Sequence, residues 1–328
     1  MFAFPVKKEK VFSRGLHRLK LRYNFINTIP QKEVRPKKDD EGNEESMEIR
    51  KIAVIGAGTM GSGIAQMTAQ SGYEVVMEDV KDEYVRTGFT KIKERLEKRV
   101  SEGKLEVREK EKVLSNIKVT TRLGGCKNAD LIIEAVAERE EIKKEIYREL
   151  DTLCPEGTIF ATNTSSLSIT RLAQATGRPG RFVGMHFMNP AYSMKLIEII
   201  RGLRTSEETI DIVRAVAGRM GKVSVVVNDF PGFVISRVIA TMINDAIYCL
   251  EEGVAPREGI DAIMKFGANH PMGPLELADL MGLDICLEIL EILQAELGEK
   301  YRPCPLLRKM VAAGKLGRKS GEGFYEYR

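Results

Sequence analysis

The sequence of 328 residues predicts an α/β fold followed by a smaller, all-helical C-terminal domain. Short apolar β-prone runs alternate with helical segments as far as Val223–Val227, which is typical of a parallel sheet built from βαβ units. Beyond that run, apolar residues recur at helical spacing and Gly and Pro separate the segments. A glycine-rich turn after the first strand makes the first domain a Rossmann-type dinucleotide-binding domain.

That turn follows the apolar run Ile52–Ile55 and has G-x-G-x-x-G spacing. Gly56 permits the tight turn, Gly58 allows close approach of a pyrophosphate, and Gly61 allows the following helix to pack on the strand. The start of that helix offers free N–H groups to the phosphates. The predicted cofactor-binding residues of the turn are Gly56, Gly58, Thr59, Met60 and Gly61.

The nature of the dinucleotide is indicated by Asp79, which ends the second predicted strand, Tyr73–Glu78. It follows Gly61 by 18 residues, near the position from which a carboxylate reaches the ribose hydroxyls of NAD. A lone glycine triplet also occurs in structural turns. Strand, triplet, helix, second strand and terminal Asp together favour NAD binding.

Composition bounds the classes of function. The chain is 43% hydrophobic and 30% charged with a formal net charge of +4, which suits a globular core and gives no general case for nucleic acid. Five cysteines without a C-x-x-C pair and only three histidines argue against a metal site or a disulfide framework. A reducing, cytoplasmic location fits best, and no apolar run approaches the length of a membrane span.

The segment 1–48 differs from the rest, because it is basic at first, acidic at its end and without sustained periodicity. We expect it to be a largely disordered extension. A targeting peptide is one alternative, but serine is scarce in it. A start at Met47, with the extension an artefact of the assigned start, is the favoured alternative.

Alternating strands and helices continue after a charged stretch, Asp82–Val113, that is predicted to be one helix or a pair of helices broken near Gly103. Its lysines and arginines either meet an anionic ligand or, as we favour, form a solvated helix surface. The next predicted elements are the strands Ile117–Thr121 and Leu131–Val136, the helix Glu140–Leu153 and the strand Thr158–Ala161.

Polar residues fall at the carboxyl ends of these strands, where ligands bind in such sheets. They are Glu134, Glu138, Asn163, Ser165 and Ser166. Ser166 or Ser168 is better explained as the cap of the helix that follows, whereas Ser165 lies nearer the strand and is the better candidate for the site.

The chemistry is predicted in residues 181–200, where two apolar strands flank a turn containing Asn189-Pro190. If the turn centres on Tyr192, His186 and Glu198 are equally distant from it and lie side by side. A carboxylate that orients an imidazole is a standard general acid/base unit, as reduction of a ketone by hydride requires. The alternative is a structural His–Glu pair that only satisfies two buried polar groups.

At these residues the chain resembles the 3-hydroxyacyl-CoA dehydrogenase family, especially its short 3-hydroxybutyryl-CoA dehydrogenases. The resemblance covers about residues 49–328. It is carried by the glycine turn and by the motifs Asn163-Thr-Ser-Ser, His186-Phe-Met-Asn-Pro190, Met194-Lys-Leu-Ile-Glu198, Pro231-Gly-Phe-Val, His270-Pro-Met-Gly-Pro-Leu-Glu-Leu277 and Gly321-Glu-Gly-Phe-Tyr325.

The resemblance implies roles for individual residues. His186 is the implied catalytic acid/base and Glu198 the carboxylate that orients it. Ser165 would bind the 3-oxygen of the substrate, and Asn189 would line the site. Asp79, Glu138, Lys143 and Asn163 are the implied cofactor-side residues besides the glycine turn.

One position departs from the family pattern, which commonly has Asn in Pro-Gly-Phe-x-x-Asn-Arg. This chain has Ser236 there, and a shorter hydroxyl reaches the same partner only through a water. Ser236 is therefore a predicted substrate-binding residue that leaves the preference for acyl length open.

The helical part begins with a long apolar-rich helix, Phe233–Leu250, capped by Gly253. Further helices are predicted at Arg257–Phe266, Pro274–Met281, Leu283–Leu297 and Leu306–Ala313. The long helix has more apolar residues than it can bury alone, which indicates a subunit interface. The resemblance implies a homodimer through this domain. The alternative is a single internal helical core.

We therefore predict an NAD-binding domain at 49–228 and a helical substrate and dimerisation domain at 229–328. The predicted function is an NAD-dependent (S)-3-hydroxyacyl-CoA dehydrogenase acting on an acyl-CoA, without nucleic acid, membrane or metal. The alternatives are an NAD dehydrogenase of a 3-hydroxy acid or sugar acid lacking CoA, and a non-catalytic NAD-binding relative.

Overall fold

The computed structural model describes residues 48–327, which belong to one compact unit. The extension predicted over residues 1–48 lies, except for Glu48, outside the described residues. No helix within the described range is long and apolar enough to cross a membrane.

One eight-stranded sheet organises the first part of the chain, in the order β3-β2-β1-β4-β5-β6-β7-β8. Neighbouring strands are parallel except for the antiparallel pair β6 and β7. The strands are β1 (Lys51–Ile55), β2 (Glu74–Glu78), β3 (Ile117–Thr120), β4 (Leu131–Glu134), β5 (Ile159–Thr162), β6 (Phe182–Phe187), β7 (Leu196–Arg201) and β8 (Val223–Asn228).

Among residues 48–327, six α-helices belong to this first part and five to the second. Those of the first part are α1 (Thr59–Gln70), α2 (Asp82–Ser101), α3 (Val107–Ser115), α4 (Glu140–Leu153), α5 (Ile169–Ala173) and α6 (Glu207–Arg219). Those of the second are α7 (Ile235–Glu251), α8 (Arg257–Gly267), α9 (Pro274–Met281), α10 (Leu283–Leu297) and α11 (Pro305–Ala312). The predicted α/β fold with a helical C-terminal part is confirmed.

The sheet is buried on both faces, as its continuous apolar strands require. Side chains of α1, α2, α3 and α6 form one core layer with it, and those of α4 and α5 form the other. The helices α7 to α11 enclose a third core of their own. The carboxyl ends of the parallel strands therefore share one edge, and β7 and β8, which run the other way, begin at that edge.

The glycine-rich turn fits its strand as the sequence predicts. A Cβ on Gly61 would lie 1.8 Å from the carbonyl oxygen of Gly56, so only glycine lets α1 approach β1 this closely. Gly56 itself has a φ of +100°, and a Cβ there would lie 2.6 Å from the carbonyl oxygen of Ala135. Both positions need glycine for reasons of space and backbone conformation.

Element ends differ from the predicted ones where a local contact intervenes. The strand predicted over Leu131–Val136 ends at Glu134, because the Glu134 carboxylate accepts the N–H of Val136 at 2.7 Å and turns the chain. The long helix starts at Ile235 rather than Phe233, since Phe233 has a left-handed φ of 47°. Of the two alternatives for the charged stretch, the pair of helices is confirmed, and Gly103 lies between them at a φ of 67°.

Candidate active site

His186 and Glu198 are direct partners across the antiparallel strands β6 and β7. The His186 Nδ1 atom lies 2.8 Å from the Glu198 Oε2 atom, and the residues are 8% and 3% exposed. When Nδ1 carries a proton toward the carboxylate, Nε2 is left to exchange a proton with a ligand. The predicted pairing is confirmed in geometry, and it has the form of a general acid/base unit.

The second oxygen of Glu198 is held by the start of the helical part. Glu198 Oε1 accepts the backbone N–H groups of Val234 and Ile235, at 3.2 and 3.1 Å. The beginning of α7 thus orients the carboxylate and adds positive helix dipole to it. Sequence reasoning missed these two N–H groups, although the Pro231-Gly-Phe-Val motif ends at one of them.

Ser165 belongs to a loop that is organised by Glu138. Glu138 Oε1 accepts the N–H of Ser165 at 2.9 Å and both the N–H and the hydroxyl of Ser166, at 3.2 and 3.1 Å. It also accepts the Thr164 hydroxyl in a short hydrogen bond. Burial opposes ionisation of Glu138, but the charge of Lys143 and these hydrogen bonds outweigh it and lower the pKa of this carboxyl.

The two serines that we predicted as caps have different roles. The Ser168 hydroxyl accepts the N–H of Arg171 and caps α5, as expected. Ser166 instead donates to Glu138, so it belongs to the loop around Ser165. Whether Ser165 contacts the substrate stays a prediction.

Lys143 lies behind this loop and not on the surface of the cleft. It is 1% exposed, and its ammonium contacts Glu134 Oε1 at 2.6 Å and Glu138 Oε2 at 3.3 Å. Glu134 also accepts the hydroxyl of Thr162 at 2.7 Å through its other oxygen. The buried cation between two carboxylates fixes Glu138, and contact of Lys143 with the cofactor stays a prediction.

Asp79 and the glycine turn, two parts of the predicted NAD site, are in direct contact. Asp79 Oδ2 accepts the N–H of Ala57 at 2.8 Å, which ties the carboxylate to the glycine turn. Gly58 is the N-cap of α1 without a side-chain cap, and no atom lies within 4 Å of where its Cβ would be. This opening, next to exposed Thr59 and half-buried Met60, fits a pyrophosphate at the helix N-terminus.

The remaining predicted residues are placed around the same edge. Asn163 follows β5, and its Oδ1 accepts the N–H of Phe187 at 2.9 Å, which fixes the end of β6. Asn189 is exposed in the loop after β6 and precedes a cis Pro190. Ser236 is buried in the first turn of α7, directly after Ile235, so its backbone neighbour contacts the dyad.

Comparison with known protein families accounts for nearly all of the described chain. The family description "3-hydroxyacyl-CoA dehydrogenase, NAD binding domain" matches residues 51–230, and "3-hydroxyacyl-CoA dehydrogenase, C-terminal domain" matches residues 232–327. The chain belongs to the 3-hydroxyacyl-CoA dehydrogenase family. It is an NAD-dependent oxidoreductase of that family.

Individual relatives agree with this assignment. A probable 3-hydroxybutyryl-CoA dehydrogenase of Bacillus subtilis is 55% identical over 282 residues, which cover 86% of this chain and 98% of that protein. The crystal structure of an (S)-3-hydroxybutyryl-CoA dehydrogenase from Ralstonia eutropha matches with a TM-score of 0.83 and 46% identity, over 86% of this chain and all (100%) of that one. A diketoreductase structure is more distant, with a TM-score of 0.73 and 31% identity over 85% of this chain and 99% of that one.

Proposed function

We propose that this protein interconverts an (S)-3-hydroxyacyl-CoA and the corresponding 3-oxoacyl-CoA, with the four-carbon 3-hydroxybutyryl-CoA as its preferred substrate. The observation that carries the proposal is the buried contact of 2.8 Å between His186 and Glu198, in the same sheet whose strand β1 leads into the glycine turn. Two relatives named for 3-hydroxybutyryl-CoA, at 55% and 46% identity, support the choice of substrate.

In the direction of oxidation, His186 Nε2 takes the proton of the 3-hydroxyl group. NAD held by the glycine turn and Asp79 would supply the acceptor for the hydride that leaves C3. The Glu198 carboxylate stabilises the imidazolium that forms, and the N–H groups of Val234 and Ile235 keep that carboxylate in place. Ser165 binds the 3-oxygen, and Asn189 lines the site. In reduction the imidazolium returns the proton to the forming alkoxide.

The acyl chain is proposed to pass near Ser236, at the start of α7. Serine leaves more space than the Asn that the family commonly has, so a water or a slightly longer chain fits there. A substrate without CoA is the alternative; the diketoreductase structure is described as acting on dicarbonyl compounds. Acetoacetate and acetoacetyl-CoA, compared as substrates for NADH oxidation, distinguish the two.

We also propose a homodimer formed through the helical part and a cytoplasmic location. On α7 and α8, Val238, Ile263 and Phe266 are exposed by 60%, 64% and 87%, beside an apolar groove of about 650 Å³. Such a surface supports a second copy as its partner. The free thiols of five cysteines, four of them buried, support a reducing compartment. Light scattering after size-exclusion chromatography measures the dimer directly.

The central test is His186→Gln, assayed with NADH and acetoacetyl-CoA. Loss of the general acid should lower kcat by a factor on the order of 10² or more while leaving NADH binding intact. His270→Gln is the matched control, because it changes the other histidine of the described residues, between α8 and α9. Near-wild-type turnover by His186→Gln at neutral pH would show that the dyad assignment is wrong.

A further inference from the structure

The two residues of the dyad are joined by a loop, residues 188–195, that we call the dyad loop. Within it, the N–H groups of Ser193 and Met194 both donate to the carbonyl of Pro190 at 3.0 Å. Ala191 is buried against α1, since a Cβ added to Gly63 would lie 3.3 Å from the Ala191 Cβ. The loop therefore contacts the helix whose N-terminus is proposed to bind the pyrophosphate.

Lys222 holds the inner side of this loop. It precedes β8, at the edge of the sheet where the loop lies, and is 8% exposed. Its ammonium donates to the carbonyl oxygens of Ala191 at 2.8 Å and of Met194 at 2.6 Å. No acidic residue of the described chain forms an ion pair with it, and burial lowers its pKa. A buried ammonium without a counter-charge is costly, so general stability does not explain it.

Arg95 contacts the solvent-exposed side of the dyad loop. Its guanidinium lies 4.9 Å from the centroid of the Tyr192 ring, in the dyad loop. The same group donates to Gln66 Oε1 at 2.8 Å and to the Ser62 hydroxyl at 3.2 Å, and both of these residues are on α1. Arg95 thus ties the exposed side of the loop to the same helix that Ala191 touches on its buried side.

We propose that Lys222 and Arg95 are positioning residues that hold the dyad loop against α1 and so set the place of the substrate relative to the nicotinamide. The loop carries Asn189 and starts two residues after His186, whereas α1 carries the glycine turn. The distance between the proton donor and the hydride donor therefore depends on this contact. A misplacement of about 1 Å can lower the rate by about 10².

This inference rests on the proposed function. The wild-type enzyme, assayed with acetoacetyl-CoA and NADH, tests that function separately. The test compares Lys222→Met and Lys222→Arg for kcat, for NADH affinity and for the isotope effect with NADH deuterated at the transferred position. Lys222→Met should lower kcat by about 10- to 100-fold and raise the isotope effect, with NADH affinity retained. Lys222→Arg keeps a cation with several donors and should recover part of kcat.

Ile210→Val is the stability control, because it thins the core at α6 without touching the dyad loop. If Lys222→Met folds and shows wild-type kcat and isotope effect in an active enzyme, the inference is wrong. If Lys222→Met does not fold, two variants of Tyr192 provide the test. Tyr192→Phe keeps the ring over Arg95 and should match wild type, whereas Tyr192→Leu should lower kcat. Equal rates for the two variants would refute the proposal that Arg95 and Lys222 position the dyad loop.

Discussion

Replacement of Glu198 by Gln is the sharpest test of how the structure supports proton transfer. The substitution keeps the size of the side chain and removes one charge. In the wild type, this carboxylate faces His186 at 2.8 Å and accepts the N–H groups of Val234 and Ile235 with its other oxygen. A Gln that keeps its oxygen toward those N–H groups turns its own N–H₂ group toward His186, so Nδ1 must accept a hydrogen bond instead of donating one.

The magnitude follows from the lost attraction between carboxylate and imidazolium. At about 4 Å between the charge centres and an effective dielectric constant of about 20, that attraction is about 4 kcal/mol. Each 1.36 kcal/mol is about tenfold in rate, so kcat should fall by about 10³. Binding of NADH should change little, because Glu198 lies on β7 and the glycine turn follows β1.

The assay is steady-state oxidation of NADH by acetoacetyl-CoA over a range of pH, with NADH binding followed by fluorescence. Glu207→Gln is the control for loss of a carboxylate, because Glu207 is an exposed residue at the start of α6. We expect Glu198→Gln to show low kcat and an altered pH profile. A rate within a few-fold of wild type across that range would refute the role of Glu198 as the partner of a protonated His186.

Three other predictions concern the choice of cofactor, the acyl chain and the pH dependence of stability. NADH should exceed NADPH in kcat/KM by about tenfold or more, because Asp79 repels a 2′-phosphate, and Asp79→Asn should narrow the gap; equal efficiencies in the wild type would contradict this. Ser236→Asn should lower KM for a short 3-oxoacyl-CoA or narrow the range of chain lengths, and if neither Ser236→Asn nor Ser236→Ala alters any substrate, the residue only starts a helix. Burial, and to a smaller extent the negative charges of Asp79 and Glu149, raise the pKa of Glu78 from 4.5 to about 7. The folded state therefore holds this proton more tightly, and stability falls as pH rises from about 4.5 to 7. Glu78→Gln should accordingly raise Tm at pH 8 more than at pH 5. The difference in the free energy of unfolding should be about 1–2 kcal/mol after allowance for solvent screening. An equal shift of Tm at both pH values would show that Glu78 is ionised in the fold.

Much of the fold was predictable because its signals are local. Helices α4, α9 and α10 have the predicted ends, since apolar spacing, Gly and Pro act within a few residues. The G-x-G-x-x-G spacing, with Asp79 after the second strand, predicted the NAD-binding domain for the same reason. Even His186 and Glu198 were predictable as a pair, because they are symmetric about a single turn and a hairpin brings such positions together.

What the sequence could not determine are contacts between segments that are distant in the chain. The hydrogen bonds from Val234 and Ile235 to Glu198 span 36 and 37 residues, and Arg95 reaches α1 from 29 residues away. Lys143 shows the same limit: its place on an amphipathic helix was predictable, but its burial between Glu134 and Glu138 depends on how that helix packs on the sheet. Local pattern determines which strands and helices form, whereas the partner of a buried polar group depends on which surfaces meet when the chain is compact, and only the tertiary structure decides that.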